Sequence, residues 1–116
     1  MIGNSSESPP VSLAPPKDTP FTLEELAKYD GSDPSLPVYV AVKRTVFDVT
    51  NNPAYRGGYK VFCGKDASKA LGMSSLEPED CVPDYSGLDE SQLKVLDNWH
   101  DFFKKRYNIV GKVVGV

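Results

Sequence analysis

Residues 55–68 read Tyr-Arg-Gly-Gly-Tyr-Lys-Val-Phe-Cys-Gly-Lys-Asp-Ala-Ser, and this stretch decides the fold of the chain. Its two tyrosines, Tyr55 and Tyr59, flank a glycine-rich bend, and the pattern from Tyr59 to Gly72 predicts a helix. Asp66 has a side chain suited to the N-cap of that helix. Two phenols beside a bend that leads into a helix predict a concave apolar site with oxygen donors.

Helices and strands are predicted on both sides of this stretch. Thr22 and Glu25 have the spacing of a capping box, which predicts a short helix over Leu23–Tyr29. A longer helix is predicted over Glu90–Lys105, where apolar residues recur at helical spacing. These apolar residues are expected to pack into the core: Leu93, Leu96, Trp99, Phe102 and Phe103. Three β-branched and aromatic runs predict strands, the first two as a hairpin: 38–42, 45–49 and 109–114.

Length and charge limit the kind of protein. The 116 residues suit one domain with one core. The formal net charge of −3 argues against a nucleic-acid partner, because neutralising phosphates requires clustered Lys and Arg. Residues 1–20 hold five of the ten prolines and predict a disordered tail or linker, so the domain is expected over 21–116. The sequence contains no run of about 18 apolar residues, and the chain as given is expected to be soluble.

The inventory of ligand side chains excludes several kinds of site. His100 is the single histidine, so ligation of haem by two histidines is excluded, and no nucleophile motif accompanies it. Cys63 and Cys81 cannot form a disulfide framework, and together with His100 they lack the spacing of a zinc site. We therefore predict a binding domain and not an enzyme.

The tyrosines offer the remaining chemistry. Tyr107 follows Arg106 at the end of the long helix and joins Tyr55 and Tyr59 as a candidate oxygen ligand. Tyrosine is a known axial ligand of ferric haem. A free phenol has a pKa of ~10, so it needs the charge of the iron and a nearby cation, such as Arg106 or Lys60, to become phenolate. On spacing alone, tyrosines of the core or surface remain the simpler interpretation.

Four segments, in this order along the chain, resemble one known family. The residues that carry the resemblance lie at 21–31, 40–49, 59–68 and 99–112. Together they cover about Phe21 to Val114, and the motif Phe-Cys-Gly-Lys-Asp-Ala-Ser at Phe62–Ser68 is the most specific. The chain resembles the cytochrome b5-like haem/steroid-binding domain, in its membrane-associated progesterone receptor branch.

The resemblance implies an α+β fold in which a small mixed sheet and bracketing helices form a haem cleft. It also implies ferric haem with a tyrosine ligand on one face, because residues 54–58 read Ala-Tyr-Arg-Gly-Gly where ordinary members have His-Pro-Gly-Gly. Tyr59 matches the axial tyrosine of the branch and is the predicted iron ligand. The other predicted cofactor-binding residues are Tyr55, Asp66, Arg106 and Tyr107, with Asp66 shaping the site as a helix cap.

One feature departs from the branch. Tyr55 and Tyr59 are four positions apart, where the branch usually has six with a Gly-Pro-x-Gly loop between. Tyr107 is therefore an alternative axial ligand. The short loop also motivates a second interpretation, a haem-free sterol-binding or protein-adaptor domain of the same fold.

The resemblance carries expectations about partners and location. Cytochrome P450 enzymes of sterol metabolism are the implied partners, for which the chain would be a haem donor or a stabilising partner. An open haem face would also allow a homodimer. Members of the branch usually have an N-terminal membrane helix, which allows a natural protein anchored to the endoplasmic reticulum with this domain in the cytoplasm.

Overall fold

The computed structural model describes residues 13–116, and in that range it has one mixed sheet and three α-helices. The elements in chain order are β1 (Pro20–Phe21), α1 (Leu23–Leu26), β2 (Tyr39–Val42), β3 (Thr45–Asp48), α2 (Ser68–Met73), α3 (Glu90–Arg106) and β4 (Ile109–Val113). The strand order is β1-β4-β3-β2. β1 is parallel to β4, and the other two pairs are antiparallel. The predicted α+β class is confirmed.

Both faces of the sheet are packed. Successive residues of a strand point to opposite faces, so β3 contributes to two clusters. Phe47 and Val40 pack in the larger cluster, which also contains Phe103 of α3 and residues of α2. Val46 packs in a smaller cluster with Leu26 of α1. The larger cluster supports the tyrosine-bearing segment described below.

The segment from Ala14 onward belongs to the domain. The Ala14 amide donates to Oδ1 of Asn108 at 2.8 Å, the Lys17 amide donates to the Ile109 carbonyl at 3.0 Å, and the segment ends in β1. The disorder predicted for residues 1–20 is therefore wrong for this part. Backbone groups can pair with a sheet edge even where few apolar side chains are available. The rest of the predicted tail, residues 1–12, lies outside the described residues.

Gly111 allows the N-terminal segment to approach β4. A Cβ atom at this position would lie 2.2 Å from the carbonyl oxygen of Thr19 and 2.4 Å from the ring of Phe21. Only a residue without a side chain leaves room for that contact.

Two helices begin as predicted. The side chain of Asp89 accepts from the Gln92 amide at 2.8 Å, and Gln92 Oε1 accepts from the Asp89 amide at 3.0 Å, which forms the capping box of α3. Thr22 and Glu25 form the same device at α1. α1 continues as a 3-10 turn through Ala27–Tyr29, so the predicted helix over Leu23–Tyr29 is confirmed.

The helix predicted from Tyr59 to Gly72 is wrong in its first half. Only a short 3-10 turn forms, at Lys60–Phe62. Gly64 then has a φ of +72°, a conformation that breaks a helix, and its amide donates to the carbonyl of Tyr39 in β2 at 2.7 Å. Residues 64–67 run along β2, and α2 begins at Ser68. Sheet pairing has overridden the local helical pattern.

The turn between β2 and β3 holds two residues in the left-handed region. Lys43 has a φ of 49° and Arg44 a φ of 66°, where hairpins favour Asn and Gly. Two hydrogen bonds stabilise the turn. The Lys43 amide donates to Oγ of Ser68 at 2.7 Å, and the Arg44 amide donates to Oδ2 of Asp66 at 3.0 Å. These contacts compensate for the unfavourable backbone.

Arg44→Gly is expected to stabilise the domain by roughly 0.5–1 kcal/mol, because a left-handed non-glycine residue costs more than the extra unfolded-state entropy of glycine. Urea unfolding measures the change. Arg44→Ala is the matched control, since it removes the charge but keeps the Cβ atom and its strain. Equal effects of the two variants would contradict the backbone explanation.

Candidate functional site

A shallow apolar cleft lies beside Tyr59. Its volume is about 230 Å³, and it is lined by Tyr59, Phe62, Ala70, Leu71, Ser74, Ser75, Leu76 and Trp99. The side chain of Tyr59 is 37% exposed. Its ring centroid lies 5.6 Å from that of Phe62 and 6.4 Å from that of Trp99. The ring planes of Tyr59 and Trp99 are perpendicular. The structure therefore presents a solvent-accessible phenol at an apolar surface.

A closed bend positions Tyr59 next to Tyr55. The side chain of Asn52 caps the bend by accepting from the Ala54 amide at 2.9 Å. The Ala54 carbonyl accepts from the Gly57 amide at 3.2 Å and from the Tyr59 amide at 2.9 Å. The four-residue step is therefore a hydrogen-bonded turn, and it places the two tyrosine rings 5.7 Å apart.

Tyr55 lies in the core beneath the cleft. Its side chain is 4% exposed. Burial raises its pKa well above the ordinary value of a phenol, and the neighbouring Tyr107 raises it further. The thiol of Cys63 donates to the Tyr55 carbonyl at 3.1 Å, and burial raises the pKa of Cys63 to about 11. Both groups belong to the core, so an iron could reach neither without displacement of core side chains.

Tyr107 and Arg106 line a different cavity. This polar groove has a volume of about 390 Å³ and is lined by Leu13, Asp48, Asn51, Asn52, Pro53, Arg106, Tyr107 and Asn108. The Tyr107 hydroxyl accepts from Nδ2 of Asn52 at 2.6 Å. Tyr55 lies between the two cavities, with its ring centroid 5.7 Å from Tyr59 and 6.3 Å from Tyr107. Of the predicted site residues, Tyr59 lines the cleft, Arg106 and Tyr107 line the groove, and the buried Tyr55 and Asp66 line neither. The groove is larger, but the cleft has the apolar walls that a flat hydrophobic ligand requires.

A row of side chains on α3 extends from the partly buried Trp99 at the cleft to the exposed Phe102 and Arg106. The ring centroids of Trp99 and Phe102 are 6.1 Å apart, and the guanidinium carbon of Arg106 lies 5.5 Å from the Phe102 centroid. Phe102 is 44% exposed and Leu93 is 36% exposed. The prediction that the whole apolar stripe of this helix packs into the core is therefore wrong for these two residues. It is confirmed for Leu96 and Phe103, which are fully buried.

Asp66 stabilises the fold through buried hydrogen bonds. It is 1% exposed, its Oδ1 accepts from the amide and hydroxyl of Ser68, and its Oδ2 accepts from the Arg44 amide. The N-cap position of α2 is Ala67, one residue later than predicted, and the side chain of Asp66 accepts from the first amide of the helix, that of Ser68. Burial raises the pKa of Asp66 and outweighs these hydrogen bonds, which lower it. Asp66 connects the strained β2–β3 turn to α2.

Sequence reasoning missed most of the cleft. Its walls come from one side chain of α3, the C-terminal part of α2 and the loop after it, which hold Trp99, Leu71, Ser74 and Leu76. Leu76 is 56% exposed in a loop of otherwise polar residues. An isolated exposed leucine is common on protein surfaces, so it was a weak signal without the fold.

The match to a family model decides where the chain belongs. Residues 22–113 match the model described as "Cytochrome b5-like Heme/Steroid binding domain". The chain belongs to this family. The matched range includes the tyrosine-bearing bend, the whole cleft and the whole of α3, and it includes every lining residue of the groove except Leu13. The resemblance stated from the sequence is confirmed.

Relatives of this cytochrome b5-like domain have the names of binding proteins. Probable steroid-binding protein 3 of Arabidopsis thaliana is 45% identical over 97 residues, which are 81% of this chain and 97% of the relative. Membrane-associated progesterone receptor component 2 of Homo sapiens is 36% identical over 118 residues, 97% of this chain and 52% of the relative. The chain also spans only 36% of membrane steroid-binding protein 2 of Oryza sativa subsp. japonica, at 42% identity and 80% of this chain. These names support the prediction that the domain is a binding module and not an enzyme.

A solved structure confirms the fold. A protein of Arabidopsis thaliana described as having a cytochrome b5-like fold matches with a TM-score of 0.77 and 44% identity. The match covers 84% of this chain and 92% of the other. Within residues 13–116, no helix has the length and apolar character needed to cross a membrane.

Proposed function

We propose that this domain binds ferric haem in the cleft beside Tyr59, with the phenol oxygen of Tyr59 as the iron ligand. The exposed phenol of Tyr59 at an apolar surface supports this most directly. Tyr59 is partly exposed and belongs to neither core cluster, so a ligand would contact it without displacing core side chains. Tyr55 is buried and protonated, and Tyr107 is hydrogen-bonded to Asn52, so both are poorer candidates.

The residues of the cleft fit a haem covered on one face. Tyr59 supplies the oxygen donor, and Phe62, Leu71 and Trp99 supply apolar walls. The cleft volume of about 230 Å³ is below the ~300–1,000 Å³ of enclosed small-molecule sites. Bound haem would therefore keep an open face, where its iron offers a coordination position to a small ligand.

The neighbouring residues have supporting roles in this proposal. Arg106 lies on the same side of α3 as Trp99, about 10 Å further along the helix axis, and rests on the Phe102 ring. Its planar donor fork suits a haem carboxylate. Tyr55 supports Tyr59 from below, and Tyr107 orients the end of α3 through Asn52. Asp66 contributes indirectly, by holding α2 against the β2–β3 turn.

A haem-free sterol-binding function is the second candidate. The small volume of the cleft and its predominantly apolar lining favour it, and so do the names of the steroid-binding relatives. A steroid needs neither an iron ligand nor a cation. A domain that only contacts a protein partner through the same surface is a further form of this alternative.

The proposal also covers partners and location. By family resemblance, the haem-bearing domain would serve cytochrome P450 enzymes of sterol metabolism as a haem donor or stabilising partner. The open haem face would also allow a homodimer. A location at the endoplasmic reticulum membrane, with the domain in the cytoplasm, agrees with relatives named membrane-associated.

Haem titration tests the proposed function. We expect a saturable ferric absorption spectrum, together with quenching of the fluorescence of Trp99, the single tryptophan of the chain. Leu76→Glu places a charge at the cleft and should weaken binding. Leu23→Glu is the control, because Leu23 is exposed on α1 and lies outside the cleft. Quenching by progesterone without any haem spectrum would favour the sterol alternative instead.

A further inference from the structure

Two hydroxyl groups of the cleft have no partner among the described residues. Three of the residues that line the cleft carry hydroxyl groups: Tyr59, Ser74 and Ser75. The Ser75 hydroxyl is occupied, because it donates to Oδ2 of Asp80 at 2.7 Å and accepts from the Glu77 amide at 3.1 Å. The hydroxyls of Tyr59 and Ser74 remain available to a ligand.

Ser74 also has an unfavourable backbone. It is the C-cap of α2, with φ 55° and ψ 39°, in the left-handed region. Glycine is the usual residue in that conformation at a helix end, and asparagine is the next most common. A serine there costs stability, and such outliers concentrate at functional sites. Because the side chain has no partner among the described residues, no contact within the fold accounts for a serine in this conformation.

We propose that Ser74 is a specificity-determining residue whose hydroxyl donates to an acceptor oxygen at the edge of a flat apolar ligand in the Tyr59 cleft. This inference rests on the proposed function. The acceptor is a carboxylate if the ligand is haem and a ketone if it is a steroid. In both cases the apolar walls contact the body of the ligand, and the hydrogen bond from Ser74 selects ligands that have an acceptor oxygen at that edge.

The test uses Ser74→Gly, which should have opposite effects on stability and binding. Removing the left-handed strain should raise the urea midpoint, while the lost hydrogen bond should weaken ligand binding by about 3- to 10-fold. Loss of folding therefore cannot explain weaker binding. Arg44→Gly is the matched control, because it relieves the same kind of strain outside the cleft. It should stabilise the domain and leave the affinity unchanged.

Four probes identify the oxygen: haem, a haem analogue with alkyl groups in place of both carboxylate side chains, progesterone, and the parent steroid hydrocarbon without ketones. Trp99 fluorescence reports binding of each. We expect Ser74→Gly to weaken binding of the probe whose acceptor oxygen it contacts and to leave the matched probe, carboxylate-free or ketone-free, unaffected. Equal affinity of the native chain and Ser74→Gly for haem and progesterone would overturn the role of Ser74 alone. If the native chain binds neither haem nor progesterone, the proposed function fails and the role of Ser74 fails with it.

Discussion

Tyr59→Phe is expected to abolish the phenolate-to-iron absorption of the haem complex and to lower haem affinity by more than about 100-fold. Changes in residues that merely support a metal ligand already cost about 10- to 100-fold, and this variant removes the ligand itself. The substitution deletes one oxygen from a side chain that is 37% exposed, so the fold should be preserved. Absorption spectroscopy during haem titration measures both quantities.

Tyr107→Phe is the comparison that decides between the two candidate ligands. It should keep the absorption band and destabilise the domain by about 1 kcal/mol, because Nδ2 of Asn52 loses its acceptor. Loss of the band in Tyr107→Phe, with retention in Tyr59→Phe, would transfer the ligand role to the polar groove. Retention in both single variants would exclude each phenol as the sole ligand.

Asp66→Ala is expected to destabilise the domain by about 3–5 kcal/mol, the largest stability effect anticipated here. It removes the acceptor of the Arg44 amide and of both donors of Ser68, and each buried donor left unpaired costs about 1–3 kcal/mol. The strained turn at Lys43 and Arg44 also loses one of the two hydrogen bonds that stabilise it and keeps only the one from the Lys43 amide to Ser68. The free energy of unfolding in urea measures the loss.

Asp33 offers a matched control for Asp66. It accepts from the amide and hydroxyl of Ser35, two residues further along, in the same pattern as Asp66 and Ser68. Asp33 is exposed, so Asp33→Ala should have a far smaller effect. Comparable losses in the two variants would show that the local turn, and not the buried connection to β2–β3, carries the energy.

The pH dependence gives a second readout for Asp66. Burial raises its pKa in the folded state, so the folded chain holds this proton more tightly than the unfolded chain. The stabilisation that comes from this raised pKa is fully present below the pKa of Asp66 in the unfolded chain, ~3.9. It is lost as the pH rises through the pKa of Asp66 in the folded chain. The stability difference between the native chain and Asp66→Asn should therefore decrease with rising pH over that window. A difference that grows with pH would contradict the raised pKa.

The elements that local rules specify were predicted well. α1 and α3 begin at side-chain caps that can be read from four residues each, and the β-branched runs became β2, β3 and β4. The failures arose where distant pairing decides the backbone. Residues 64–67 were predicted as part of a helix but run along β2, and Ala14 to Thr19 have the composition of a tail but pair with β4. Gly64 permits the turn out of a helix, but the local sequence does not specify the partner strand in either case.

The candidate site was predicted by its tyrosines and not by its shape. Tyr55 and Tyr59 lie next to one another, as the bend implied. The separation of Tyr107 from the cleft follows from its hydrogen bond to Asn52 and from the burial of Tyr55 between them. The cleft walls depend on how α2 and its following loop meet α3, which is a matter of packing. The sequence pattern therefore predicted the tyrosines that supply oxygen donors, but it did not predict the apolar walls of the cleft.

The parallel pairing of β1 with β4 has a consequence for how the domain bears mechanical load. The segment from Ala14 to Phe21 runs in the same direction as residues 108–114, and the two are joined by hydrogen bonds from Lys17 to Ile109, from Lys112 to Thr19 and from Val114 to Phe21. A force that pulls the two ends of the chain apart therefore slides these segments past each other. The hydrogen bonds share the force and must break together, so tension applied through the chain ends would meet its main resistance at this edge of the sheet, on the strand that follows Tyr107.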